Sequence, residues 1–399
     1  GNLEGTVKIE FQYKSDTELK YDIHCRAIDL EYLEFEIDGP KSIYVDSNRL
    51  TFKFEDFEFV DEISESFTKD GVNIRIIWES IDSNRVRFKL LDDIKPGDEI
   101  IIDPSVTLKW STYYGGNSNE QGYGAASTQD GHAIFCGRIS SRSLATSGTH
   151  QSSIGGSDDA FLVKMHKDGG SNSRIWATYF GGSGIDYAHD VFVSSKDEIL
   201  LTGRTASTSG ISKNARYRSS HTGKYDAFFA KFAGNGTLEW ANYLGGKEDD
   251  IGLGITTDSS QNVIVVGYTE SSTDISSRKN SSYTILQSSR SGNKDGFIGK
   301  FDKDGNRLFV SYFGGAGNYI ANSVIAMAKD TIAFVGETNS NSITTSSTSF
   351  SGRTDGFITK LMPNGSLYKF IFLGDTLDDA LNKIRYFNYR YPYRSSSFK

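Results

Sequence analysis

One motif returns throughout the chain beyond residue 105, and it restricts the fold more than any other feature. Trp110-Ser-Thr-Tyr113-Tyr-Gly115-Gly116 comes back as Trp176-Ala-Thr-Tyr179-Phe-Gly181-Gly182, as Trp240-Ala-Asn-Tyr243-Leu-Gly245-Gly246 and as Phe309-Val-Ser-Tyr312-Phe-Gly314-Gly315. A worn fifth copy is Lys369-Phe-Ile-Phe372-Leu-Gly374-Asp375. The first glycines are spaced 66, 64, 69 and 60 residues apart. Two more stations recur in each period. One is an apolar run ending in Gly137, Gly203, Gly267 or Gly336; the other is Asp159-Ala-Phe161, Asp226-Ala-Phe228, Asp295-Gly-Phe297 or Asp355-Gly-Phe357. Turn pairs follow at Asp168-Gly169, Asn235-Gly236, Asp304-Gly305 and Asn364-Gly365, where glycine accepts the positive φ of a tight hairpin.

Each period therefore holds four short strands: one after the double glycine, one ending in glycine, the Asp-x-Phe strand and the Trp-x-x-Tyr strand. Four strands per unit at this repeat length predict a β-propeller blade. A β-helix would show much shorter coils, and a helical solenoid would show a 3.6-residue period that is absent. The Trp-Ser-Thr-Tyr-x-Gly-Gly motif and the Asp-x-Phe-x-x-Lys runs (Asp159 to Lys164, Asp226 to Lys231, Asp295 to Lys300, Asp355 to Lys360) resemble the SBBP bacterial β-propeller repeat over residues 105 to about 385. The segment before them resembles the all-β domain that often precedes these repeats, with Ile101-Ile102-Asp103-Pro104 like its usual exit. The resemblance implies a secreted or cell-surface bacterial protein and no enzyme class.

Four complete periods are present, and a propeller must close or leave sheet edges open. The expected architecture is five blades. The last is built from both ends, with a strand at 107–114 pairing outside C-terminal strands that include Asp378 to Phe387. A truncated larger propeller is the alternative.

Charge marks the domain boundary. Residues 1–104 carry 13 Lys+Arg against 25 Asp+Glu, whereas the remainder carries 30 against 26; five of the 41 glycines precede residue 105. We therefore expect an all-β, sandwich-like domain over 1–104 and the propeller over 105–399. Leu33 to Asp38, Leu50 to Glu55 and Val86 to Leu90 alternate apolar and polar residues, the period of a half-buried strand. No run approaches the ~18 apolar residues needed to span a bilayer. Gly1 to Gly5 show no charged segment leading into an apolar one, which fits a cytosolic chain or a leader already removed. Two cysteines and six histidines, none paired at ligand spacing, suggest neither a disulfide scaffold nor a metal site, and no cofactor is expected.

Chemistry-bearing residues are few. The once-per-period tryptophans are read as inter-blade packing rather than a sugar platform. Asp159, Asp226, Asp295 and Asp355 are read as acceptors for backbone N–H groups of the preceding loop. A second acidic station, Glu120, Asp186, Asp250 and Asp379, with Tyr319 breaking the set, opens the first strands. It forms either a carboxylate ring at a channel mouth or a set of turn caps. The loops 138–157, 204–224, 268–294 and 337–354 carry 12 Lys+Arg against 3 Asp+Glu. Arg204, Arg216, Arg218 and Lys224 head the candidates for a polyanion-binding face, and plain solvated loops are the alternative. A pI near 5.4 and no aromatic–basic module argue against nucleic acid. The expected function is an exported binding or scaffolding protein for a glycan or protein ligand, more readily than an enzyme. A glycan-active enzyme with channel carboxylates is the rival.

Overall fold

A computed structural model describes residues 8–15, 18–26, 34–36, 42–46, 49–53, 58–81, 85–95, 97–107, 112–169, 173–340, 350, 353–374 and 379–384. The chain divides into two compact units, Gly1–Thr112 with Lys167–Ser171 and Phe387–Lys399, and Tyr113–His166 with Asn172–Tyr386. Among the described residues there is no α-helix, only a 3-10 turn at Ala328–Asp330. The protein is all-β, assembled from several small antiparallel sheets.

In the first unit a six-stranded sheet runs in the order Lys8–Ser15, Glu18–Arg26, Glu99–Thr107, Glu58–Thr68, Arg49–Lys53, Ser42–Asp46. A three-stranded sheet, Glu34–Glu36, Arg85–Leu90, Ile76–Ser80, shares its core. Leu50, Ile63, Ile100 and Ile102 from the larger sheet meet Ile76, Trp78, Val86 and Phe88 from the smaller one. The alternation in Arg85–Leu90 places Val86 and Phe88 inward, with Phe88 stacked on Trp78 at 4.0 Å. The intervening polar residues pair on the wet side, as Glu79 does with Arg87 and Lys89.

The second unit holds four sheets in chain order, each an antiparallel meander of consecutive strands. They are Glu120–Ser127, Ala133–Ile139, Asp159–Met165, Arg174–Phe180; then Asp186–Val193, Ile199–Thr205, Asp226–Phe232, Leu238–Leu244; then Asp250–Thr257, Val263–Thr269, Asp295–Phe301, Arg307–Phe313; then Tyr319–Ala326, Ile332–Thr338, Asp355–Leu361, Leu367–Leu373. The third gains a short outer strand, Ser277–Arg278. Successive sheets stack through their first strands, and apolar clusters join the first to the second, the second to the third and the third to the fourth. Middle strands such as Asp226–Phe232 are buried along their whole length, so they read as continuous apolar runs rather than alternating ones.

Each repeated motif now has a physical cause. The fourth-strand aromatic packs on the next sheet's hairpin. A Cβ on Gly236, itself at φ 83°, would lie 2.9 Å from the Trp176 ring, and Trp176 Nε1 donates to Gly234 O at 2.9 Å. Trp240 repeats this over Gly305, and Phe309 over Gly365. The first strand of every sheet bulges at one place, leaving Tyr123, His189, Leu253 and Asn322 without a direct partner. The second strand, expected from the sequence to end at its glycine, runs two residues further; one step before the bulge that glycine opposes the first strand. A Cβ on Gly267 would sit 1.8 Å from Ile251 O, and Gly203 and Gly336 meet the same obstacle. Two of the four lysines of Asp-x-Phe-x-x-Lys, Lys231 and Lys300, are buried cations: Lys300 Nζ lies 2.9 Å from the buried Asp258 and donates to Pro363 O in the fourth sheet's hairpin.

The described residues contain four such sheets and no fifth. Of the strand expected over 107–114, Thr107 ends a first-unit strand, residues 112–114 form none, and Trp110 lies outside the described residues. Of the strand expected over Asp378 to Phe387, residues 379–384 carry none and the rest lie outside the described residues. Residues 379–384 nonetheless begin as a further first strand would. Asp379 N donates to Thr354 O at 2.8 Å, just as Asp186 N does to Asp158 O, Asp250 N to Tyr225 O and Tyr319 N to Lys294 O. Lys383 then reaches the buried Asp190 of the second sheet at 2.6 Å. Gly267→Ala is expected to destabilise the second unit by about 1–3 kcal/mol or more, since backbone and not a mobile side chain blocks the methyl. A urea midpoint equal to that of the unaltered protein would contradict this account.

Candidate functional site

The second acidic station caps turns. Asp186 is fully buried; its Oδ2 accepts from Gly182 N at 2.8 Å and from Ser207 Oγ at 2.7 Å, and its Oδ1 accepts from Thr205 Oγ1. Asp250 repeats this with Gly246 N at 2.7 Å and Ser271 Oγ at 2.8 Å. Glu120, half-buried, accepts from Gly116 N and Ser141 N at 3.1 Å each. Asp379 Oδ2 lies beside Gly374 in the matching place. Each of Glu120, Asp186 and Asp250 belongs to its own double-glycine turn, and Asp379 to the Gly374-Asp375 copy. The other station closes on the same turn from the far side, as Asp226 accepts from Thr222 N and Gly223 N at 2.9 and 3.0 Å. A Cβ on Gly245 would lie 2.8 Å from both Asp226 Oδ1 and Asp250 Oδ2, which is why the turn is glycine at ordinary φ.

A serine four residues beyond the second-strand glycine completes the cluster: Ser141, Ser207, Ser271 and Ser340. Its hydroxyl serves the acid or the turn, and its carbonyl accepts from the fourth-strand tyrosine, as Ser207 O does from Tyr243 Oη at 2.9 Å. In the fourth sheet Tyr319 replaces the acid and donates its own hydroxyl to Ser340 O at 3.0 Å. This serine station was present in the sequence as Gly-x-x-x-Ser, hidden among loop serines.

The first three long polar loops take a different course from that expected of a projecting recognition face; most of 337–354 lies outside the described residues. The three fold back along the outermost strands and hydrogen-bond them. Thr146 N donates to Ala177 O, Lys213 and Ala241 exchange both backbone bonds, and Lys279 N donates to Leu308 O. The cationic candidates scatter accordingly. Arg218 donates to Gly245 O and, at 3.0 Å, to Asp274 O of the next loop. Lys224 pairs with Glu248 at 3.0 Å on the surface. Arg216 is exposed, with its backbone N–H on Asn242 Oδ1. Only Arg204 joins a constellation.

Arg204 stands on the second strand of the second sheet, opposite Tyr187 in register, and its guanidinium carbon lies 4.6 Å from the Tyr187 ring centre and 4.8 Å from that of Tyr225. Arg138, the equivalent residue of the first sheet, lies 5.2 Å from the same Tyr187 ring and donates to its hydroxyl at 3.1 Å. Asp158, at 3.5 Å from Arg138, is the acid of the group. Beside it the bulged residues Tyr123 and His189 face each other at 5.3 Å, with Tyr123 38% exposed and its hydroxyl on Gln121 Oε1. Small residues at the next cross-strand position, Ala160 and Ala227, leave room for these side chains. The same stations hold Tyr268 and Lys294 in the third sheet and Glu337 and Thr354 in the fourth. The packing stations therefore repeat while these differ. Burial, reinforced by the Arg204 charge, pushes the His189 imidazole down to about 4 and keeps it neutral at physiological pH.

Burial also pushes Asp250 up to about 7, against hydrogen bonds from Thr269, Gly246 and Ser271. The folded state thus holds a proton that the unfolded chain releases near the ordinary carboxylate value. The stability this contributes is present below about pH 4 and lost as pH rises through 7. His150 and His189, both lowered to about 4 chiefly by burial, act in the opposite sense between pH 4 and 6.5. Asp250→Asn is therefore expected to remove a component of melting temperature that falls from pH 4 to 7. Parallel pH profiles for the two proteins would refute it.

No known family model matches this chain, and no curated protein does. Among solved structures, a protein of unknown function from Dyadobacter fermentans aligns over 92% of this chain and 96% of its own, at 10% identity and a TM-score of 0.31, a likeness too slight to carry any argument.

Proposed function

We propose that this is a non-catalytic binding protein, secreted or displayed at the cell surface, whose second unit is an SBBP-like β-propeller preceded by a β-sandwich domain. The kinship rests on the repeated motifs. The propeller reading draws support from four equivalent meanders joined through their first strands, and from the way residues 379–384 open a fifth repeat and return Lys383 to Asp190. In this reading both ends of the unit contribute to a fifth blade. Removing residues 379–399 is then expected to abolish a single cooperative unfolding transition in the second unit; an unchanged transition would mean an open array.

The observation that carries the binding function is the cluster of Arg138, Tyr187, Arg204, Tyr225, Tyr123 and His189, all but the loop residue Tyr225 held on strands of two adjoining sheets. Strand-borne side chains hold their geometry without induced ordering, which suits recognition of a small glycan or a protein segment. The carboxylates that a glycan-active enzyme would require are engaged by turn N–H and hydroxyl groups, which favours binding over hydrolysis. An array of glycans and peptides tests this. Saturable binding that is lost in a Tyr123→Ala, Tyr187→Ala double variant is expected, with the bound ligand recovered intact. Shortened saccharides in the recovered ligand would replace this reading with the enzymatic one, and binding unaffected by the double variant would move the site elsewhere.

A further inference from the structure

The polar groups left unfilled in this cluster define the missing partner's chemistry. Among the described residues, no carboxylate or other hydrogen-bond acceptor meets the Arg204 guanidinium; its Nε is buried without an acceptor, and its neighbours are the two tyrosine rings. His189 Nε2 is likewise buried with no partner. The sister positions differ. Arg138 has Asp158, Gln121 and the Tyr187 hydroxyl, and Lys294 has Glu270 at 3.0 Å beside Tyr268. Among the described residues, Arg204 is the cation of this row that no anion neutralises.

We infer that Arg204 is the anchor of a binding site for an anionic saccharide, with the acidic group of the sugar on its guanidinium and the sugar ring against Tyr123. The inference rests on the binding reading above and names its ligand class. The Arg204 guanidinium carbon is held 4.6 and 4.8 Å from two tyrosine ring centres, and a guanidinium fork can take two oxygens of one acid at once. With two rings close to it and its Nε buried, it is partly desolvated before any ligand arrives, so less water is displaced when the acid docks. Tyr123 offers a half-open ring for the apolar face of a pyranose, and Gln121 and the Tyr123 hydroxyl stand at its margin for sugar hydroxyls. A long polyanion is disfavoured by the chain's net charge of −8, whereas a short acidic oligosaccharide feels mainly the local excess of two arginines over one aspartate.

Isothermal titration of the full chain with three probes tests the assignment: an oligogalacturonate, a sulfated oligosaccharide of similar length and a neutral oligosaccharide. The two acidic probes share the required chemistry, and their ranking tells carboxylate from sulfate recognition. At least one acidic probe is expected to bind about tenfold or more tightly than the neutral one, and to weaken as salt is raised. Arg204→Ala is expected to lose about tenfold or more of that affinity. Arg204→Lys is expected to lose an intermediate amount, because an ammonium keeps the charge and not the fork. Melting temperatures of both variants separate lost binding from lost folding, and Arg204→Gln supplies a second uncharged side chain if the alanine protein does not fold. If the neutral probe binds as tightly, the ligand class is wrong while the binding reading stands. If no probe binds, or if a folded Arg204 variant binds the acidic probe unchanged, the inference is overturned.

Discussion

A buried carboxylate wedged against two adjacent glycines is the constraint on which the second unit depends. Asp186 and Asp250 each receive a backbone N–H from the turn and a hydroxyl from a serine on the neighbouring loop. That loop also takes the fourth-strand tyrosine, so one acid ties together the entry to a sheet, the loop after its second strand and, through Ser207 O, its outermost strand. A side chain on the first glycine would collide with the acids and one on the second with the serine and its loop backbone, and a residue without an acceptor in the acid's place would leave turn donors unmet. Tyr319 shows the permitted exception: its ring fills the place and its hydroxyl finds the serine carbonyl instead.

Most of this was legible because packing demands repetition. Tryptophan, tyrosine, the paired glycines and the Asp-x-Phe strand recur at matched offsets, and the four meanders follow those offsets. The hairpin glycines were legible for positive φ, yet Gly236 is confined as much by the Trp176 ring above it, a neighbour that only the stacking of sheets reveals. The loops were not legible. Serine, threonine and lysine describe a solvated segment equally well whether it projects outward or lies along a strand, and the backbone bonds that decide the matter leave no trace in composition. The division between units near residue 112 leaves the closure of the repeats to the proposed reading, since Trp110 falls outside the described residues.

The candidate site was half legible. Arg204 stood out as a cation, and Tyr187 did not. The two become cross-strand partners only once the bulge at His189 is known, because a single extra residue decides which side chains share a face. The informative contrast lies within the chain itself. Stations that pack are filled alike in every sheet. The station occupied by Arg138 and Arg204 becomes Tyr268 and Glu337 further on, as expected where neighbouring sheets no longer dictate the residue.

The course of the polar loops has an effect beyond the site. Where Lys213 and Ala241 exchange backbone bonds, and where Thr146 and Lys279 donate to the strands beside them, the outermost rungs are already occupied. A stray extended peptide finds no vacant ladder at those rungs, so a high local concentration of copies does not invite them to zip into fibres there. The selvedge woven by these three loops shields the sheet margins of a protein so rich in strands.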